Sequence, residues 1–288
     1  MDAAMSNSKT NSRAVGLDLS LGVIRWLTGH ENLHYGLWDG LEVTAENLGR
    51  AQKAYTDLLF DQLPEGSLRI LDIGGGAGET AARLLALGHS VEIVIPSEQL
   101  AERCRANAPG ATVHECRFED FTGEGPYDLC LFSESFQYIA LDYGLKRCLD
   151  LLVPGGQVLL ADCFRTGDER TADGKRATGG GHKIERFRDE LEGLPYTLLH
   201  EADITERVAP SIDLEQAFYN VLGSGFSMVQ ANFSARKPKT HWLLDRIARL
   251  VVNKKRRASL HLRFMEQARS SEVFCRNNRY LMIALRAP

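Results

Sequence analysis

Asp72-Ile73-Gly74-Gly75-Gly76-Ala77-Gly78 is the stretch whose residue types and spacing hold the most chemistry in this chain of 288 residues. Glycines are needed where a backbone turns tightly and lets a ligand approach without a Cβ in the way. A helix that follows such a loop turns its free N–H groups toward whatever binds there. Dinucleotide-binding folds use a similar loop against a pyrophosphate. The carboxylate of Asp72, placed just before the first glycine, would repel that anion and attract an ammonium group. The loop therefore favours a ligand that carries a free amine and no phosphate.

Such a loop works only if a strand enters it and a helix leaves it, and the pattern around it supplies both. Leu68 to Ile73 reads as a strand, and the helix after the loop runs through Leu87 and stops at Gly88, suited to a left-handed C-terminal cap. Ser90 to Ile95 reads as a second strand feeding a helix from about Ser97 to Asn107, and Ala111 to Glu115 and Tyr127 to Phe132 as two more strands. Leu145, Cys148, Leu149 and Leu152 recur at helical spacing on one apolar face. Pro154-Gly155-Gly156 then ends that helix and turns the chain into a strand, Gln157 to Asp162. This alternation between Ser67 and Phe164 is the pattern of a parallel sheet with crossover helices. Upstream, Leu48, Ala51, Tyr55, Leu58 and Leu59 mark an amphipathic helix packed beside the sheet. Downstream, the polar stretch Arg165 to His182, with Gly179-Gly180-Gly181, reads as a mobile loop or lid. Tyr196 to Glu201 reads as a sixth strand and Tyr280 to Leu285 as the last, with a largely helical insertion, about Ile204 to Ser270, between them.

Three pieces in this order resemble the core of class I S-adenosylmethionine-dependent methyltransferases: Leu71-Asp72-Ile73-Gly74-Gly75-Gly76-Ala77-Gly78, Tyr127-Asp128-Leu129-Cys130-Leu131-Phe132-Ser133-Glu134, and Leu152-Val153-Pro154-Gly155-Gly156. A further piece, His34-Tyr35-Gly36-Leu37-Trp38-Asp39-Gly40, resembles the leading segment of small-molecule methyltransferases that act on tocopherols, sterols, prenyl diphosphates and glycine-type amines; Asp203-Ile204-Thr205 also resembles that group. The resemblance implies an α/β fold: a doubly wound, mostly parallel seven-stranded, Rossmann-like sheet with an antiparallel last strand and a helical cap insertion. The implied divisions are a disordered tail (1–14), a helical segment covering the cofactor (15–65), the core (66–202), the cap insertion (203–270) and the last strand (271–288). S-adenosylmethionine is the implied cofactor and S-adenosylhomocysteine the product. The implied reaction is methyl transfer to a small-molecule acceptor by in-line displacement, driven mainly by positioning and exclusion of water.

The same resemblance places Tyr35, Asp72, Gly74, Gly75, Gly76, Gly78, Ser133 and Glu134 at the cofactor, with the aromatic of the 34–40 segment near the methyl donor, and Phe118 and Glu119 or Asp120 near the adenine. The family's usual ribose-binding acid at the end of strand two is replaced by Ile95, which leaves Ser97 or Gln99 to meet the hydroxyls. Arg117 stands where an Asp often follows strand three. A general base is needed only if the acceptor loses a proton. Glu134 and Tyr138, in the stretch after strand four where ligands gather, could orient or deprotonate it, and cofactor or loop hydrogen bonding explains them equally well. His34 is a second base candidate, beside Tyr35, and His182 a weaker third. Phe218, Tyr219, Phe226 and Met228 could wall an acceptor pocket or serve as core packing.

Composition bounds the rest. A net charge of −4 argues against nucleic acid as the main partner. The acceptor is expected to be a small molecule, amphiphilic or anionic in one reading, and a homodimer is compatible with the sequence. The six cysteines (Cys104, Cys116, Cys130, Cys148, Cys163 and Cys275) show no metal-ligand spacing, which disfavours a metal site and reads as buried thiols in a reducing compartment. No apolar run reaches the ~18 residues a membrane span needs, and no signal core follows the polar N-terminus, so a cytoplasmic protein is expected. His241 to Arg257 reads as an amphipathic helix with a basic end, a solvated cap helix rather than a membrane anchor. Two other functions fit the pattern: a fold relative that uses the sulfonium differently, such as a cyclase, and a non-catalytic sensor or partner subunit.

Overall fold

The computed structural model describes residues 21–167, 180–240, 242, 246 and 269–288. The expected tail over 1–14, the middle of the polar loop and the basic end of the 241–257 helix lie outside the described residues.

Seven strands form one sheet in the order β3-β2-β1-β4-β5-β7-β6. They are β1 (Arg69–Ile73), β2 (Ser90–Val94), β3 (Thr112–His114), β4 (Tyr127–Ser133), β5 (Leu152–Arg165), β6 (Thr197–Asp203) and β7 (Asn278–Arg286). Strands β1 to β5 run parallel, and β7 lies antiparallel between β5 and β6. The chain winds outward in one direction from β1 through β2 and in the other from β4, so β1 and β4 flank the point where the order reverses. In such sheets the crevice at the carboxyl ends of those two strands is where ligands bind. The antiparallel sense of β7 brings its first residues to the same edge, with Tyr280 opposite Cys163 of β5.

Helices cover both faces because the central strands β1, β4, β5 and β7 are buried on both sides. They are a helix over 21–28 (α1), α2 (Leu48–Phe60), α3 (Glu79–Ala86), α4 (Glu98–Asn107), α5 (Leu141–Leu151), α6 (Ile184–Glu192), α7 (Thr205–Val208), α8 (Pro210–Arg236) and α9 (Ser271–Asn277). One core joins Tyr55, Leu84, Ile93, Leu100, Ile212, Phe274 and Tyr280, under α2, α3, α4, α8 and α9. The other joins Phe118, Phe132, Phe136, Leu145, Phe164 and Phe187, under α5 and α6. Gly88 takes a left-handed φ of 89° after α3, as the cap reading required.

Three expectations need correction. β5 starts at Leu152 and carries Pro154-Gly155-Gly156 within it, at an irregularity in its pairing with β4 between Leu152 and Gln157, so those residues interrupt a strand rather than precede it. Helix α6, between the loop and β6, went unread although Ile184, Phe187 and Leu191 recur at helical spacing; Phe187 is buried and the other two pack beside it among charged residues. Phe226 and Met228, expected to wall a pocket or pack in a core, stand 66% and 72% exposed on the outer half of α8, beyond the reach of the sheet.

Candidate active site

The glycine loop leaves β1 and enters α3 through Gly78, whose φ of 88° makes it a left-handed N-cap. Gly74, at φ 81°, lies so close to β4's far end that an added Cβ would stand 2.3 Å from the Ser135 Cβ. Ser135 Oγ also donates to the Ile73 carbonyl, so loop and β4 end are bolted together. Beneath the loop, Asp72 is buried, and its Oδ2 has no hydrogen-bond partner among the described residues. Desolvation pushes its carboxyl up to about 7. An orphaned carboxylate oxygen below a loop of glycines fits a ligand that brings its own positive charge.

Glu134, the first residue past β4, holds a φ of 56°, the one non-glycine with positive φ among the described residues. Such strain persists only where surrounding contacts hold it. Its Oε1 accepts from the Tyr35 N–H at 2.7 Å and from the Tyr280 hydroxyl at 2.9 Å. Tyr280 spends its single proton on Glu134, so it accepts from Tyr55, whose hydroxyl lies 2.8 Å away. Ser133 Oγ, 3.3 Å from the Tyr55 oxygen, completes the chain. Glu134 keeps some solvent exposure, but the protein around its carboxyl displaces most of the water and pushes it up to about 8. Burial likewise pushes Asp162 of β5 up to about 7, although it accepts from the Gln137 and Cys163 amides.

The 30–40 segment lies across this edge. Trp38 Nε1 and the Gly36 N–H both donate to Ser211 Oγ of α8, at 2.8 and 3.0 Å, and the Leu37 N–H donates to the Ala51 carbonyl of α2. At its start, the buried Glu31 carboxylate takes both arms of Arg103, at 2.6 and 2.8 Å, and the Asn107 amide, at 2.7 Å. His34 is buried and stacked on Tyr55 at 4.5 Å. Its Nδ1 donates to the Tyr35 carbonyl at 2.8 Å, so neutral Nε2 accepts from Thr56 Oγ1 at 3.2 Å. Burial pushes its pKa down to about 4, so the ring is neutral near pH 7 with both nitrogens engaged.

The other sequence-read residues scatter more widely. Ile95 is buried, its amide bonded to the His114 carbonyl, and offers no side-chain acceptor at the end of β2. Ser97 caps α4 by accepting from the Leu100 amide at 3.4 Å, which leaves its hydroxyl proton to donate elsewhere. Phe118 is buried edge-on to Phe132 and Tyr143, inside the α5-side core. Glu119 pairs with the exposed Arg117 at 3.2 Å. Tyr138 is 71% exposed, away from Glu134's network. His182 Nε2 reaches the Phe136 carbonyl at 3.1 Å. Tyr35 faces Phe274 and Tyr280, both at 6.1 Å between ring centres, and lies near the Glu215–Arg269 ion pair of 2.9 Å. Phe218 and Tyr219 stay half-buried on α8.

Tyr55, Tyr280, Glu31 and Asp162 were not singled out as site residues from sequence. Tyr55 had been read only as part of an apolar helix face and Tyr280 only as the start of a strand. Glu134 and Tyr280 are 146 residues apart, and no local pattern links them.

A methyltransferase-domain family model matches residues 70–156, which hold the loop and β4. The chain is 30% identical to the 27-O-demethylrifamycin SV methyltransferase of Amycolatopsis mediterranei over 192 residues, covering 62% of this chain and 69% of that protein. It is also 30% identical to the tRNA 5-carboxymethoxyuridine methyltransferase of Escherichia coli, but over 36% of this chain, and spans less than half of that relative, 43%. Among solved structures, the cyclase SpnF superposes with a TM-score of 0.64 at 16% identity, covering 96% of each chain. The geranyl diphosphate C-methyltransferase of Streptomyces coelicolor, in complex with Mg2+, geranyl-S-thiolodiphosphate and S-adenosyl-L-homocysteine, superposes at 0.61 with 14% identity, covering 93% and 92%. At such identities the likeness is one of fold. The seven-stranded sheet with its antiparallel β7, the matched domain and the rifamycin relative together place the chain in the class I methyltransferase family.

Proposed function

We propose that this protein transfers a methyl group from S-adenosylmethionine to a small organic acceptor. The observation that carries the reading is the junction of two carboxyl groups at one cleft: Asp72 orphaned under the glycine loop, and Glu134 strained into place one strand away. When bound, the cofactor supplies a methyl group on a positively charged sulfur, an electrophile that needs no further activation. Asp72 and the loop would hold its amino-acid end, and the Ser97 hydroxyl is the nearest donor at the end of β2. Glu134 is the group placed to take a proton from an acceptor hydroxyl; an amine or ionised acid would need only alignment. His34, neutral and fully engaged, positions Tyr35 rather than moving protons. Glu215, Arg269, Phe274 and Tyr35 would form one wall of the acceptor space.

A small acceptor is favoured over a polymer by the way the 30–40 segment and α8 close over the cleft, and by the small ligand named for the geranyl diphosphate enzyme. A second reading, a fold relative that uses the cofactor without transferring its methyl, draws on Ile95 in place of the usual ribose-binding acid and on the structural likeness to a cyclase.

Calorimetric titration tests the proposal directly. S-adenosylmethionine and S-adenosylhomocysteine should bind wild type with micromolar affinity, and Asp72→Asn should weaken both by about tenfold, ~1.4 kcal/mol. No binding by a folded wild type refutes the reading. Methylated product from a screen of hydroxyl and amine acceptors separates it from the cyclase alternative.

A further inference from the structure

Glu134 has an unusual set of neighbours for a carboxyl group. Both of its recorded hydrogen bonds arrive on Oε1, from the Tyr35 N–H and the Tyr280 hydroxyl, and Oε2 receives none among the described residues. The titratable groups that face it are acids, phenols and one thiol: Asp162 and Cys163 from β5, Glu215 from α8, Tyr55 from α2, Tyr280 from β7 and Tyr35 from the covering segment. Arg269, a cation in that wall, is paired with Glu215 at 2.9 Å. No ion pair to Glu134 exists among the described residues. Yet the backbone accepts a left-handed φ of 56° to put this side chain there.

We propose that Glu134 is a charge-coupled carboxyl: neutral while the cleft is empty, and ionised by the positive charge of a bound cationic ligand, with its proton passing to the solvent. The inference rests on the reading of the cleft as an S-adenosylmethionine site and adds to it a coupling between loading and readiness. Oε2 carries the proton in the neutral form, because Oε1 is filled by two donors. Those two donors then stabilise the carboxylate once a cation replaces the missing counter-charge. Burial, which raises this carboxyl to about 8, keeps it mostly protonated at pH 7 until that happens. A base built this way takes an acceptor's proton only when the donor is in place, and it idles otherwise.

The cation has two sources in the same ligand, the amino-acid ammonium and the sulfonium. S-adenosylmethionine carries both, and S-adenosylhomocysteine carries the ammonium alone. The test is calorimetric binding of each to the full chain at pH 7, repeated in buffers of different ionisation enthalpy, which counts protons released per site. A carboxyl held near 8 and ionised on binding releases most of a proton per site with S-adenosylmethionine at pH 7. Equal release with S-adenosylhomocysteine assigns the charge to the ammonium, and release with S-adenosylmethionine alone assigns it to the sulfonium. Glu134→Gln should bind and keep only the smaller release that Asp72, pushed up to about 7 beneath the loop, contributes, so the difference from wild type belongs to Glu134. Tyr280→Phe removes a donor that favours the ionised form, so it should move the pH of largest release upward by about one unit; it keeps the carboxyl and serves if the glutamine variant does not fold. Tight binding with no proton release overturns the inference and leaves the methyltransferase reading standing. Release that is undiminished in Glu134→Gln, is lost altogether in Asp72→Asn, or keeps its pH profile in Tyr280→Phe also overturns it. Failure of both ligands to bind overturns the two together.

Discussion

Burial sets the protonation of four side chains at the cleft, and that gives the ligand-free protein a definite pH response. Asp72 and Asp162 rise from 3.8 to about 7, and Glu134 from 4.5 to about 8. The folded state then binds more protons than the unfolded chain from about pH 4 to pH 8, so stability falls as pH rises through that window. His34 works the other way: its fall from 6.5 to about 4 makes stability rise with pH between those values. Above pH 6.5 only the carboxyls act. Thermal melts without ligand should show the midpoint dropping from pH 6.5 to 8, with a shallower drop in Glu134→Gln; a flat or rising midpoint contradicts this account. Gly74 offers a second residue-scale prediction. An alanine there needs a left-handed φ and meets Ser135 at 2.3 Å, so Gly74→Ala should cost about 2 kcal/mol or more in urea unfolding and loosen the cofactor loop.

At the scale of elements, the covering segment is held by polar contacts as well as by its buried Leu37 and Trp38. Ser211 Oγ receives both the Gly36 amide and the Trp38 indole N–H, and all three residues are buried. Ser211→Ala strands two buried donors, so it should destabilise by about 1–3 kcal/mol. Amide exchange should quicken over residues 34–40 while the sheet stays protected, and S-adenosylhomocysteine affinity should fall. Unchanged exchange in that segment would show that Ser211 does not hold it. The Glu31 carboxylate, clasped by Arg103 and Asn107 of α4, anchors the other end of the same segment. Together these contacts tie a strap of irregular chain to α4 on one side and α8 on the other.

For the whole molecule, ligand linkage gives the broadest check. A ligand at 100 times its dissociation constant adds about 2.7 kcal/mol to folded-state stability. For a chain this long that corresponds to a rise of roughly 4–5 °C in melting midpoint. S-adenosylhomocysteine should produce such a rise in wild type and a smaller one in Asp72→Asn at the same concentration. Binding seen by calorimetry without any thermal shift would mean that the ligand binds the unfolded chain as well as the folded one, which contradicts a built site. No helix among the described residues is long and apolar enough to cross a membrane.

Local chemistry was enough for the sheet's parallel half and for the glycine loop's place between β1 and α3. Glycines at a strand-to-helix turn can serve few purposes, and apolar runs of strand length between amphipathic helices can hardly pack any other way. The carboxyl of Asp72 was legible for the same reason: its meaning depends on residues next to it in the chain. Glu134 was legible as a candidate by its place after β4, but Tyr138 was equally plausible, and only the structure separated a side chain strained inward from one 71% exposed. The relay from Ser133 through Tyr55 and Tyr280 to Glu134 could not be read at all, because it joins α2, β4 and β7 across 225 residues of sequence. Sequence patterns set periodicity and turns, which act over a few residues. Which hydroxyl meets which carboxyl is set by the antiparallel return of β7 beside β5, a property of the closed sheet that no local stretch contains.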